Sequence, residues 1–155
     1  MTPYASYVTG QDPLDVLRST LDQYQQLSAR YTAADWASPW APGKWTAHQV
    51  IVHVTQWELI FGTRLRTALA MPGYVVQPME PDDILNIEAP AVDGPTAAAA
   101  FEGLRRMNIG LVGALSPAQR SATVTHLERG AIDIEDLIVT MAGHGAHHLR
   151  QLRPD

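Results

Sequence analysis

Cysteine is absent from this chain of 155 residues, which excludes disulfides, thiolate metal ligands and a cysteine nucleophile. No apolar run approaches the roughly 18 residues that a membrane-crossing helix needs, so no membrane association is expected. The first residues, MTPYASYVTGQDP, lack the basic segment and apolar core of a secretory signal, and the cytoplasm is the expected location. The 11 basic residues form no dense run in a chain of net charge −5, which argues against nucleic acid as a partner. Arg105 with Arg106, and Arg150 with Arg153, read as solvated helix faces. There is no Ser-His-Asp arrangement, no glycine-rich phosphate loop, no HExxH signature and no internal repeat.

What is present is globular. Hydrophobic residues make up 46% and charged residues 17%, a composition that folds, and the length suits one domain over residues 1–155. Apolar residues recur at spacings of three and four in four places, and each place predicts a helix. After a polar arm up to Gln11 that is expected to be extended, Asp12 and Pro13 make a helix start, and Leu14, Leu17, Leu21, Tyr24, Leu27 and Tyr31 carry helix one to Tyr31. Helix two starts near Trp45, with Thr46 and Gln49 as a capping box, and runs through Val50, Val54, Trp57, Phe61 and Leu65 to Ala70. Helix three covers Thr96 to Leu115, and Pro117–Arg120 suits a short extra turn. Helix four covers Ile134 to Arg153, with Asp133 as N-cap and Asp136 three residues later. The architecture expected is an all-α four-helix bundle.

Two connections stand out. Thr32–Lys44 holds Trp36 and Trp40, which read as a cover packed on the core, with a substrate-facing role as the alternative. Met71–Pro95 carries five prolines and no lysine or arginine. A stretch this long is expected to cross the bundle and join parallel helices, and closing over a pocket is a compatible second reading. Ser121–Gly130 is a polar connector with a short β-like patch.

The chemistry lies in the histidines. His144 and His148, four apart on helix four, are neighbours with Cβ atoms about 5–6 Å apart, so both imidazoles address one point. Such a pair suits a first-row metal ion, but a catalytic site usually has three protein ligands. His53 falls inside the apolar stripe of helix two and is the best third candidate. Alone it would read as a core histidine; the downstream pair changes that. His48 lies near the start of helix two, roughly 140° round from His53. His147 is turned to the flank of helix four. His126 reads as a loop histidine bonded to backbone, against a fourth-ligand or supporting role.

Four segments of the chain resemble the DinB/YfiT-like superfamily of metalloenzymes. Lys44-Trp45-Thr46-Ala47-His48 through His53-Val54 is similar to the start of that family's second helix. His126-Leu127-Glu128-Arg129-Gly130, then Ile134-Glu135-Asp136-Leu137, then His144 through Leu152 resemble its C-terminal pattern. The resemblance spans nearly the whole chain. It implies a four-helix bundle with one long crossover between helices two and three, commonly a homodimer. It also implies a divalent metal on three histidines, here His53, His144 and His148. Some relatives are thiol-dependent transferases or isomerases that use bacillithiol, mycothiol or glutathione. Gly143 and Gly145, beside the first histidine of the pair, depart from the bulkier residues expected there.

The expectation is therefore a three-histidine site for a divalent ion, Zn or Ni, with an open position and a small-molecule substrate. Such an ion lowers the pKa of water to about 7 or ionises a thiol. A thiol-dependent S-transferase is the leading reading and a metal-dependent hydrolase the alternative. A non-catalytic metal-binding stress-response protein and a bundle with structural histidines are the other classes. Glu58 does not share the face of His53 well and is not expected to act as a base. Gln56, Trp57 and Ile60 are expected to line the pocket.

Overall fold

Asp12 caps α1 (Pro13–Ser28) through the Leu14 amide, with Pro13 at the first helical position. The computed structural model describes residues 2–152. Arg153, the expected end of the last helix, lies outside the described residues, as does Met1 at the head of the arm. The helix ends at Ser28 and not Tyr31, because Tyr31 packs edge-on against Trp36 and donates its hydroxyl to the Leu152 carbonyl. The connector after it is not structureless. A Thr32/Asp35 capping box nucleates the short helix α2 (Ala33–Ala37), which carries Trp36 into the core at 8% exposure. Trp36 packs so closely on Gly94 that a Cβ there would collide with the indole. Trp40 stays 45% exposed, and neither tryptophan lines the cavity described below.

The Thr46/Gln49 capping box opens α3 (Ala47–Ala70). The expected loop after it holds a two-residue strand, β1 (Val75–Val76), and a helix, α4 (Pro81–Glu88) with Pro81 in its first turn. Asp93 caps α5 (Gly94–Ala114) by accepting the Thr96 amide, so this helix starts two residues before the expected Thr96; Pro95 costs nothing in the first turn. The short α6 (Pro117–Arg120) follows, then the hairpin β2 (Thr123–His126) and β3 (Gly130–Asp133). Strand β1 pairs parallel to β2, and β2 antiparallel to β3, which adds a small three-stranded sheet to the helical bundle. Asp133 and Asp136 form a full capping box at the head of α7 (Ile134–Leu149), and residues 150–152 leave the helix as a turn.

Contacts fix the helix directions. Thr55 bonds to the Ala97 carbonyl and Arg66, further along, to Asn108, so α3 and α5 run parallel. The Tyr24 hydroxyl donates to the Gly145 carbonyl, and Tyr31 reaches Leu152, so α1 and the α7 end run parallel as well. Tyr24 meets Phe101 while Leu14 meets Gly113, so α1 and α5 are antiparallel. Parallel neighbours cannot be joined by a tight turn, and the segment from Met71 to Asp93 is the crossover that joins α3 to α5. No helix among the described residues is long and apolar enough to cross a membrane.

The N-terminal arm was expected to be extended. Instead it forms a single 3-10 turn at Ala5–Tyr7 docked on α7. Tyr4 takes a left-handed conformation (φ 58°), uncommon for a residue with a Cβ, and its carbonyl sits against Gly143. A side chain at Gly143 would push the arm away. Gly145 in turn leaves room for the Arg105 guanidinium, which a Cβ would approach to 2.7 Å. The two glycines that depart from the family pattern are thus close-approach positions on either side of His144.

Candidate metal centre

The i, i+4 spacing on α7 places His144 and His148 side by side, with ring centroids 4.5 Å apart. Helix α3 runs past them and delivers His53, whose ring centroid lies 5.1 Å from His144 and 4.6 Å from His148. One ring nitrogen from each of the three falls within 4.8 Å of the others, and all three residues are buried. The Nε2 atoms of His53 and His144 face each other at 3.1 Å. Two nitrogens bound at 2.0–2.1 Å to one tetrahedral ion would be about 3.3 Å apart, so the donor set fits a single small cation. The second ring nitrogen of His53, Nδ1, is buried without a hydrogen-bond partner among the described residues.

The electrostatics agree with the geometry. Burial pushes His53 down to about 3, helped by His148 and His147. Burial likewise takes His148 to about 4, against the opposing hydrogen bond from Gln151. His144 falls well below the usual imidazole range through burial first, then through His148, His53 and Arg105. All three are neutral at pH 7, the state in which imidazole binds a metal. His148 Nδ1–H donates to Gln151 Oε1 at 2.8 Å, which leaves the Nε2 lone pair for a cation. Such supporting bonds set tautomer and ring orientation. Gln151→Ala is accordingly expected to weaken divalent-metal affinity about 10- to 100-fold without unfolding the protein, as measured by competition with a chromophoric chelator.

Aromatic rings surround the cluster. Trp45 lies 4.8 Å from His53 and stacks on His148, Tyr4 meets His144 edge-on at 5.4 Å, and Phe61 meets it at 5.5 Å. His53 and His144 form part of the wall of a cavity of about 290 Å³. Its other walls come from Trp57, Phe61 and Arg64 on α3, Tyr4 on the arm, residues 78–81 of the crossover, and His126, Glu128 and Arg129 on the hairpin. The crossover therefore does close part of the pocket.

The remaining candidates separate cleanly. Trp57 lines the cavity as expected, but Gln56 and Ile60 do not. The wall follows the i, i+4 row His53–Trp57–Phe61; Gln56, at i+3, turns to the crossover and donates to the Ile84 carbonyl and to Glu88 Oε2. His48 bonds to the Val92 carbonyl at 2.7 Å, away from the cluster. His147 sits on the flank, 2.7 Å from the Tyr7 hydroxyl. His126 accepts the Glu128 amide through Nδ1, as a backbone-bonded histidine, and lines the cavity outside the three-histidine cluster. Sequence reasoning missed Tyr4, Trp45 and Arg64. Tyr4 carried no periodic signal, and Trp45 and Arg64 showed only as a helix start and one more helical cation.

A family model described as the DinB superfamily matches residues 16–152. The chain is 28% identical over 110 residues, 71% of its length, to a protein from Oceanobacillus iheyensis that bears the name "Putative metal-dependent hydrolase". It is 23% identical over 111 residues, 72% of its length, to a protein of the same designation from Bacillus mycoides. Each match takes in 64% of the relative's own length. Among solved structures, YfiT from Bacillus subtilis, described as "a probable metal-dependent hydrolase with an unusual four-helix bundle topology", aligns with a TM-score of 0.79 at 18% identity, over 90% of this chain and 81% of that one. A second protein, described as a four-helix bundle, aligns with a TM-score of 0.57 at 19% identity, over 88% of this chain and 92% of its own.

Proposed function

The chain belongs to the DinB superfamily, and from that premise we propose that it is a metal-dependent hydrolase of a small molecule, with His53, His144 and His148 as the ligands of a divalent ion. The observation that carries the reading is the convergence of three buried, neutral imidazoles, two of which line a cavity. The donor set suits Zn or Ni. A divalent ion held there would supply Lewis acidity, enough to bring the pKa of water to about 7 or to favour the ionised form of a thiol. The chain's own residues do the rest. Burial keeps the imidazoles unprotonated, Gln151 holds the proton of His148 on Nδ1, and the rings of Trp45, Trp57, Phe61 and Tyr4 restrict access of bulk water. The names borne by the two curated relatives support hydrolysis.

Thiol-dependent S-transfer is the second reading, and a separate observation favours it. Among the described residues no carboxylate joins the histidine cluster, and Glu58, five residues beyond His53, is closed off by Arg105 at 2.8 Å and Asn108. A nucleophile that ionises without a neighbouring base suits such a site, and a thiol, with its pKa near 8.5, does so more readily than water. A homodimer is proposed with either reading. The test is elemental analysis of protein purified without an affinity tag, followed by ester and amide turnover with and without a small thiol. About one Zn or Ni per chain is expected from a single three-histidine site. Turnover independent of thiol supports hydrolysis, and turnover that requires it supports transfer. Protein that holds no metal and takes up no added Zn or Ni sinks both.

A further inference from the structure

Two arginines are buried among the described residues, and they differ in one respect. Arg105, 1% exposed, has Glu58 at 2.8 Å. Arg64, 8% exposed, has no carboxylate within ion-pair distance among the described residues. Its Nη2 donates to the Gln77 carbonyl, and its guanidinium lies 5.4 Å over the Trp57 ring. Burial lowers its pKa, and the group that opposes the shift is the Tyr74 phenol, not an acid. A guanidinium stays charged in a protein and presents five donors, so one carbonyl and one ring face leave most of its bonding capacity open. Charged side chains are seldom buried without a partner.

The place of Arg64 says what the missing partner is. It stands eleven residues after His53, three turns on, and so shares the helix face that carries His53 and Trp57. All three line the same cavity. The other cation on that wall, Arg129, already has Asp136 at 3.6 Å. Two carboxylates also line the cavity, Glu80 and Glu128, but both residues are exposed and neither pairs with Arg64. The cavity thus offers a buried, unpaired cation within and acids at exposed positions.

We propose that Arg64 anchors a carboxylate of the substrate, so that this cavity takes a small monocarboxylic acid derivative whose reacting end lies at His53 and His144. The assignment rests on the proposed function for its reacting end, and on Arg64 alone for its anchor. The planar fork of the guanidinium matches a carboxylate in two parallel bonds. A single unpaired cation, with acids nearby, favours one negative charge over the two of a phosphate monoester. The cavity of about 290 Å³ stands at the lower end of small-molecule pockets, which limits the size of the acid.

The probes are benzoate, its neutral isostere benzamide, and phenyl phosphate, titrated calorimetrically into the purified full chain. Metal content is measured on each sample. Wild type is expected to bind benzoate at least about tenfold more tightly than benzamide, the size of one charge-assisted contact. Arg64→Gln is expected to abolish that preference with metal content unchanged, and Arg64→Lys to restore part of it. Equal binding of benzoate and benzamide by wild type overturns the proposal without recourse to any variant. So does a benzoate preference that survives Arg64→Gln and vanishes in His144→Ala, His148→Ala, because that anion sits on the ion. Tighter binding of phenyl phosphate than of benzoate overturns the carboxylate assignment. If wild type proves metal-free yet shows the Arg64-dependent preference, the anchor stands and the metal-dependent function falls.

Discussion

His144→Ala is expected to lower the affinity for Zn or Ni by more than about 100-fold while the chain stays folded. Loss of a group that merely supports a ligand costs 10- to 100-fold, and His144 is placed to be a ligand itself. It is buried, with its Nε2 at 3.1 Å from that of His53 and its ring next to Tyr4, Trp57 and Phe61. Removing it leaves two donors, too few for a tight site. The effect should show in thermal unfolding as well as in metal content. A ligand that binds only the native state raises stability by RT ln(1 + [L]/Kd), so added Zn should raise the Tm of wild type and leave that of the variant nearly unmoved. The metal-free variant should lose only about 1–3 kcal/mol, the ordinary cost of truncating a buried side chain. His147→Ala is the control. It lies three residues on, bonds to the Tyr7 hydroxyl and stands outside the cluster, so its metal content should match wild type. If His144→Ala and His147→Ala retain the same metal as wild type, the histidines are structural and the site lies elsewhere.

Much of this centre is legible in the sequence because helical periodicity is a strong local signal. The spacing of His144 and His148 puts them side by side, and the placement of His53 within an apolar stripe singles it out from His48, five residues before and on another face. The same logic fixes Thr46/Gln49 and Asp133/Asp136 as helix starts, and the structure has full capping boxes at both. What was not legible depends on contacts far apart in sequence. Tyr4 reaches the site only because Gly143, some 140 residues later, leaves space for its backbone. The hairpin of β2 and β3 brings His126, Glu128 and Arg129 to the cavity through its pairing with β1, a two-residue strand too short to announce itself. Gln56 leaves the cavity wall because an i+3 position lies 60° off the face of His53, and α4, which carries no clear sequence signal, offers it hydrogen-bond partners. Glu58 pairs with Arg105 on another helix, a contact between α3 and α5 that no local pattern around either residue announces.

That partnership carries the second large effect. Glu58→Ala is expected to destabilise the protein by about 3–5 kcal/mol, the cost of stranding one member of a buried ion pair. Glu58 Oε2 meets Arg105 Nη2 at 2.8 Å, and Oε1 accepts Asn108 Nδ2 at 2.8 Å. Arg105 Nη1 donates to Thr20 Oγ1 at 3.0 Å, and its guanidinium fills the space that Gly145 leaves on α7. The network therefore reaches all four long helices. Without Glu58 the guanidinium, 1% exposed, can neither lose its proton nor reach water. A stability of 5–15 kcal/mol is usual for a domain, so the change should be plain in urea midpoints. The informative comparison is the double replacement. Glu58→Met with Arg105→Met removes both charges and refills the volume, and it should be more stable than either single variant, because desolvation of the pair opposes its attraction. A double variant that loses the sum of the two single costs would mean that the residues act independently, and the pair would not be the lock between the helices. Arg105 abuts Gly145, next to His144, so the double variant also asks whether the pair sets the ligand geometry. Near-wild-type stability with weakened metal binding would assign the pair to positioning α7, whereas unchanged binding would confine it to the core.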